Sequence, residues 1–123
     1  MIKKIFTVTI PLLLAVLQYF HPYHFLADVY HELLPHLHLW LTIHILQLAL
    51  FGGVAVVFYL MLDHVVGIWA KLARFFTWCF AITYTAYDAI AGIATGSLIR
   101  IGTQLPADSQ EMITNVIQKF FTD

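Results

Sequence analysis

Three long apolar runs separated by short polar stretches set the pattern of this chain. The clearest covers residues 37–62, which contain no Asp, Glu, Lys or Arg and end at Asp63 and His64. A bilayer core takes about 20 apolar residues in a helix, so this run is long enough to span one. Pro35 just ahead of it suits a helix start, where a missing amide hydrogen costs nothing. The first run, residues 5–26, follows Lys3 and Lys4 and includes Pro11 as a kink point. Its basic-then-apolar order is that of a secretory signal, but small residues two apart are missing: Ala27 has Phe25 at the other key position. It therefore reads as an uncleaved first span. The third run, residues 75–99, is preceded by Trp69, Lys71 and Arg74 and closed by Arg100. Aromatic and basic residues of that kind favour headgroup depth.

Beyond Gly102 the chain turns polar, and residues 109–121 predict a short helix. Asp108 and Glu111 have capping-box spacing, with Asp in place of Ser or Thr. Ile113, Val116, Ile117, Phe120 and Phe121 recur at helical spacing. Too short to cross a bilayer, this helix is expected to lie on its surface or dock on the bundle. The expected fold is all-α, a single polytopic membrane bundle. It has three transmembrane helices, an outer His-rich interfacial segment and a short C-terminal amphipathic helix.

Composition strengthens that reading. The 123 residues are 61% hydrophobic and 11% charged, against about 25% charged in an ordinary soluble domain. A net charge of −1 offers no basic surface to nucleic acid. Cys79 is the only cysteine, so an internal disulfide is excluded, and its apolar setting suits a buried structural thiol. Lys3, Lys4, Lys71 and Arg74 fall on one side of the spans, Arg100 and Lys119 on the other. The positive-inside rule then places the N-terminus inside and the His-rich loop and C-terminus outside.

Asp88 is the one charged side chain in the third run. An acid at the centre of a span costs about 2.5–3.5 kcal/mol on insertion scales and faces protein or water rather than lipid. Thr77, Ala81, Tyr84, Asp88, Gly92 and Thr95 fall within about 40° of one line at 100° per residue. Gly92 and Gly96 add a GxxxG spacing that lets helices approach closely. On the second run, counting from the outer end places Gln47 and Gly52 near the depth of Asp88 and His44 near Thr95. Gly52 and Gly53 would leave room there for a close crossing or for water. His44, Gln47, Tyr84, Asp88 and Thr95 are thus candidates for a polar ion path. The plainer alternative is that Asp88 bonds to Tyr84, Thr85 or Gln47 and serves helix association.

Histidine is the second signal. His21, His24, His31, His36 and His38 lie close together with Asp28 and Glu32 among them. If residues 21–34 form a helix, His24, Asp28 and His31 share one face. Imidazole nitrogen with carboxylate oxygen suits zinc, copper, iron or nickel, and His36 and His38 would fold back as further ligands. Bis-histidine haem ligation is a further option, requiring paired helices at matched depth. The alternatives are a headgroup belt of amphipathic histidines with Tyr19, Tyr23, Tyr30 and Trp40, or pH sensing. The stretch His31-Glu32-Leu33-Leu34-Pro35-His36 is not a metalloprotease HExxH. It has one residue too many, which turns the second histidine about 140° away, and Pro35 interrupts the helix.

No phosphate loop, dinucleotide fingerprint or nucleophile elbow is present. The segment Tyr-Asp-Ala-Ile-Ala-Gly-Ile-Ala-Thr-Gly at residues 87–96 resembles a segment of small uncharacterised bacterial multi-spanning membrane proteins. It covers about a tenth of the chain, and the resemblance implies a bacterial multi-spanning protein, with no activity or site residues attached; the expected location is the inner membrane. The leading expectation is a homo-oligomeric membrane protein, surrounded by lipid, that binds or conducts a transition metal ion or a proton. An accessory subunit of a larger membrane complex is the alternative, and a metal- or haem-dependent membrane enzyme the third.

Overall fold

The computed structural model describes residues 2–22 and 28–122. Every regular element among them is helical. Helix α1 (Ile2–Tyr19) carries Pro11 inside it and ends well before residue 26. The cause lies in the sequence: Pro22 lacks an amide hydrogen and disfavours helical angles at His21, where the chain bends. Residues 21–34 are accordingly not one helix. A new one, α2 (Val29–Leu33), starts after Asp28, whose carboxylate accepts the His31 backbone N–H at 3.0 Å. That is an N-cap, satisfying an amide with no intrahelical partner.

A single 3-10 turn (Leu34–His36) containing Pro35 joins α2 to α3 (Leu37–Met61). Together these form the one run among the described residues, Val29–Met61, long and apolar enough to cross a membrane by length and composition. Helix α3 is central, packed against α1 on one side and α4 (Ile68–Asp88) on the other. At its end Arg74 donates to the carbonyls of Leu62 and Val65 at 2.6 and 2.9 Å. The cap on this helix end is therefore a side chain from α4 and not the neighbouring Asp63. Asp63 instead pairs with Lys3 at 2.8 Å, and that ammonium holds its carboxyl below the ordinary range. Gly67, at φ 105°, makes the turn into α4, a conformation that L side chains rarely adopt.

Helix α4 starts seven residues before the expected third span, so Lys71 and Arg74 lie within it. It continues through a π-helical segment (Ala89–Ala94) into α5 (Thr95–Gly102). Helix α6 (Ala107–Thr122) then folds back onto α5 and α2, docking as expected through Ile113, Ile117 and Phe121. Its remaining apolar residues, Met112, Val116 and Phe120, are exposed. The main core sits at this end, where Val29, Tyr30, Leu33, Trp40, Ile99 and Ile117 pack together. Lys3, Asp63 and Arg74 mark the opposite end of the bundle.

Candidate functional site

Asp88 is the last residue of α4 and is 5% exposed. The stripe around it faces protein in part: Ala81, Gly92 and Thr95 are buried with it, whereas Thr77 is half-buried and Tyr84 exposed. Opposite lies α3, pressed so close that a Cβ on Gly92 would overlap the His44 ring. On Gly96 it would come within 2.6 Å of Leu41. Small residues on one helix here make room for large ones on the other.

This contact places His44 one turn deeper than expected, level with Gly92 rather than Thr95. From there its Nδ1 lies 2.7 Å from Asp88 Oδ1. Its Nε2 lies 3.3 Å from Nε2 of His21. The order His21, His44, Asp88 is therefore a continuous hydrogen-bonded row from just beyond the C-terminal end of α1 to the middle of the bundle. Asp88 Oδ2 is buried and has no hydrogen-bond partner among the described residues.

Trp40, one turn from His44, stacks at a tilt on both imidazoles, with ring centroids 4.2 and 4.9 Å away. Its indole N–H donates to the Gly92 carbonyl at 2.8 Å, which also accepts from the Thr95 amide. The π-helical segment begins directly after Asp88, and single π turns recur at functional sites. Gln47, 3% exposed, donates to the Gln18 side-chain carbonyl at 3.1 Å, a second polar bridge between α1 and α3.

A cavity of about 300 Å³ opens beside this row. His21, His44, Gln47 and Asp88 line it together with Tyr84 and Tyr87. Of the expected ion path, His44, Gln47, Tyr84 and Asp88 are thus assembled in one place. Thr95 is buried but lies outside the lining. Tyr84 stands at the cavity rim, its ring against Phe51 and Phe80.

The expected histidine patch is divided. His21 turns inward to His44. Asp28 bonds to the His31 ring at 2.6 Å, and the His31 backbone N–H, ahead of the ring, holds the Asp28 carboxyl below its ordinary range. Glu32, His36 and His38 are exposed, and His24 lies outside the described residues. No group of three or more His, Cys, Asp or Glu side chains among the described residues is arranged to hold a metal ion.

Three members of the site, Gln18, His21 and Trp40, escaped the sequence reading of the ion path. Signals for them existed: Gln18 is the one amide in the first apolar run, and Trp40 precedes His44 by one helical turn. Comparison with protein-family models, curated proteins and solved structures gave no match.

Proposed function

We propose that this chain is a bacterial inner-membrane protein that takes up a proton at its outer end and delivers it to Asp88. In this reading α1, α3 and the α4–α5 helix each cross the bilayer, with Lys3 and Asp63 inside and α6 at the outer surface. Lipid would cover the outward side chains, among them Leu12, Val16, Ile45, Phe58, Phe76 and Ile82, each at least 45% exposed on the isolated chain. The exposed Met112, Val116 and Phe120 of α6 would rest in the interface.

The observation carrying the reading is the bonded row from His21 through His44 to Asp88. Imidazole accepts a proton at one nitrogen while releasing another from its second nitrogen. A proton passed from His21 Nε2 to His44 Nε2 releases the His44 Nδ1 proton to Asp88 Oδ1. Asp88 is thus the inner terminus of the row. Of the two cations considered, a proton suits this site better, because its donors bond to one another and do not converge on a common point. The row is complete within one chain, so this step needs no second copy.

Infrared difference spectroscopy across a pH change, in lipid, tests the reading. A carboxylic-acid C=O band is expected that disappears in Asp88→Asn and titrates at a different midpoint in His44→Phe. A band that survives Asp88→Asn, or a midpoint indifferent to His44→Phe, would overturn it.

A further inference from the structure

Three neighbouring side chains on the outward side of α4 carry hydroxyls. Thr83, Tyr84 and Tyr87 together line an open recess of about 410 Å³, and all three are exposed, Tyr87 at 68%. None of the three hydroxyls makes a hydrogen bond among the described residues. Thr77, earlier on the same helix, instead donates to the Ala73 carbonyl at 2.8 Å. Arg74 and Arg100 stand 26 residues apart on the continuous α4–α5 helix, about 39 Å at helical rise. A bilayer with its headgroups is about 40–45 Å thick. Tyr87 lies midway between the two arginines, so in the three-span reading these hydroxyls are at the centre of the hydrocarbon. Lipid offers no hydrogen-bonding group there, and an unpaired hydroxyl in hydrocarbon is costly.

The same face carries a packing pattern. Trp69, Ala73, Phe76, Phe80, Thr83 and Tyr87 follow one another at alternating steps of four and three residues, the seam spacing of a left-handed helix pair. None of the six is buried in the chain. The seam lies about 110° around α4 from the buried line of Ala70, Ala81 and Asp88. The side of α4 that meets α3 is therefore a different one.

We infer that this face is where two copies of the chain pair, the α4 seams packed side by side in the bilayer with lipid displaced from Phe76. A hydroxyl both donates and accepts, so the set formed by Thr83, Tyr84 and Tyr87 is complementary to itself. Copies inserted in the same orientation are related by a two-fold axis along the membrane normal. Each residue then faces its equivalent at its own depth, and the hydroxyls of one copy meet those of the other. Tyr84 and Tyr87 also line the cavity beside Asp88, so pairing covers the lipid side of that cavity. The inference rests on the three-span reading and makes no use of the proton row, which is complete in one chain.

Cysteine cross-linking of the purified chain in lipid vesicles, in a Cys79→Ala background, tests the inference. Oxidation should join Thr83→Cys chains into a species of twice the mass. Ile82→Cys chains, one residue earlier and facing lipid, should stay single. Subunit counting by single-molecule fluorescence should give two copies per unit for the wild type. Thr83→Val with Tyr87→Phe keeps the shape of the face and removes two hydroxyls, and should weaken pairing at least about threefold. Equal cross-linking at residues 82 and 83, a wild type that stays single, or unchanged pairing in the double variant would each overturn the inference. Reaction of Thr83→Cys with a membrane-impermeant maleimide would place that residue in water and remove the three-span reading as well. A chain that stays single yet keeps its infrared carboxyl band loses this surface alone, and one that pairs without the band loses only the proton reading.

Discussion

Gly92 bears no side chain because the His44 ring occupies the space where one would be. Replacing it with alanine sets two effects against each other. Alanine gains up to about 1 kcal/mol of backbone preference in a helix, whereas overpacking costs about 1–3 kcal/mol. The clash falls on Cβ, Cγ and Nδ1 of His44, near the root of the side chain, where little relief is available. Overpacking should win. Gly92→Ala is expected to lower the melting temperature in lipid and to shift the Asp88 carboxyl band as the His44 bond lengthens; an unchanged band would show the bond to be unaffected. Asp28, ahead of α2, provides a pH-dependent counterpart. Its carboxyl is held below the ordinary range chiefly by the His31 amide, so the unfolded chain binds its proton more readily. The cap's stabilisation is therefore complete above the unfolded value of about 3.9 and fades as pH falls through the lower folded value. Asp28→Ala should cost about 1 kcal/mol at neutral pH. Its melting temperature should fall less than that of the wild type between pH 6 and pH 3.

At the scale of elements, the π-helical segment is held by a contact from another helix. The Trp40 indole donates to the Gly92 carbonyl within Ala89–Ala94. Trp40→Phe keeps most of the ring and removes that donor. The Gly92 carbonyl keeps its bond from the Thr95 amide, so the loss is that of one hydrogen bond, about 0.5–1.5 kcal/mol; a lower melting temperature is expected, and an unchanged one would show that the segment keeps its form unaided. This dependence also explains what could be read in advance. Residues 37–62 announced α3 because no charge interrupts them. The small-residue stripe announced the buried face of α4 because Asp88 could not face lipid cheaply. Nothing in Ala-Ile-Ala-Gly-Ile-Ala demands a wider turn, and its contacts with Trp40 and His44 come from another helix. The end of α1 was legible in Pro22, but Tyr23, Phe25 and Leu26 read as a continuation of the apolar run. The described histidines of the patch are divided for a related reason: spacing along one helix has no meaning where the chain bends at His21.

On the scale of the whole molecule, the arrangement of ends makes topology testable without reference to activity. Lys3 meets Asp63, and Arg74 caps α3 beside them. Residue 66 therefore lies at the same end as the N-terminus. Gln104, in the turn between α5 and α6, lies at the other end with α2. If α1, α3 and α4–α5 each cross the bilayer, these two turns are in different compartments. In that arrangement the positive-inside rule would put the Lys3 end inside. Val66 is 90% exposed and Gln104 is also exposed, so a cysteine at either position should react readily. In a Cys79→Ala background, a membrane-impermeant maleimide applied to intact spheroplasts should label Gln104→Cys and leave Val66→Cys untouched until the membrane is opened. Equal labelling of both in intact spheroplasts would place both turns outside and remove the three-span arrangement. The proton row would then lack an inner compartment to serve, because His21 and the Lys3–Asp63 end would share one solution.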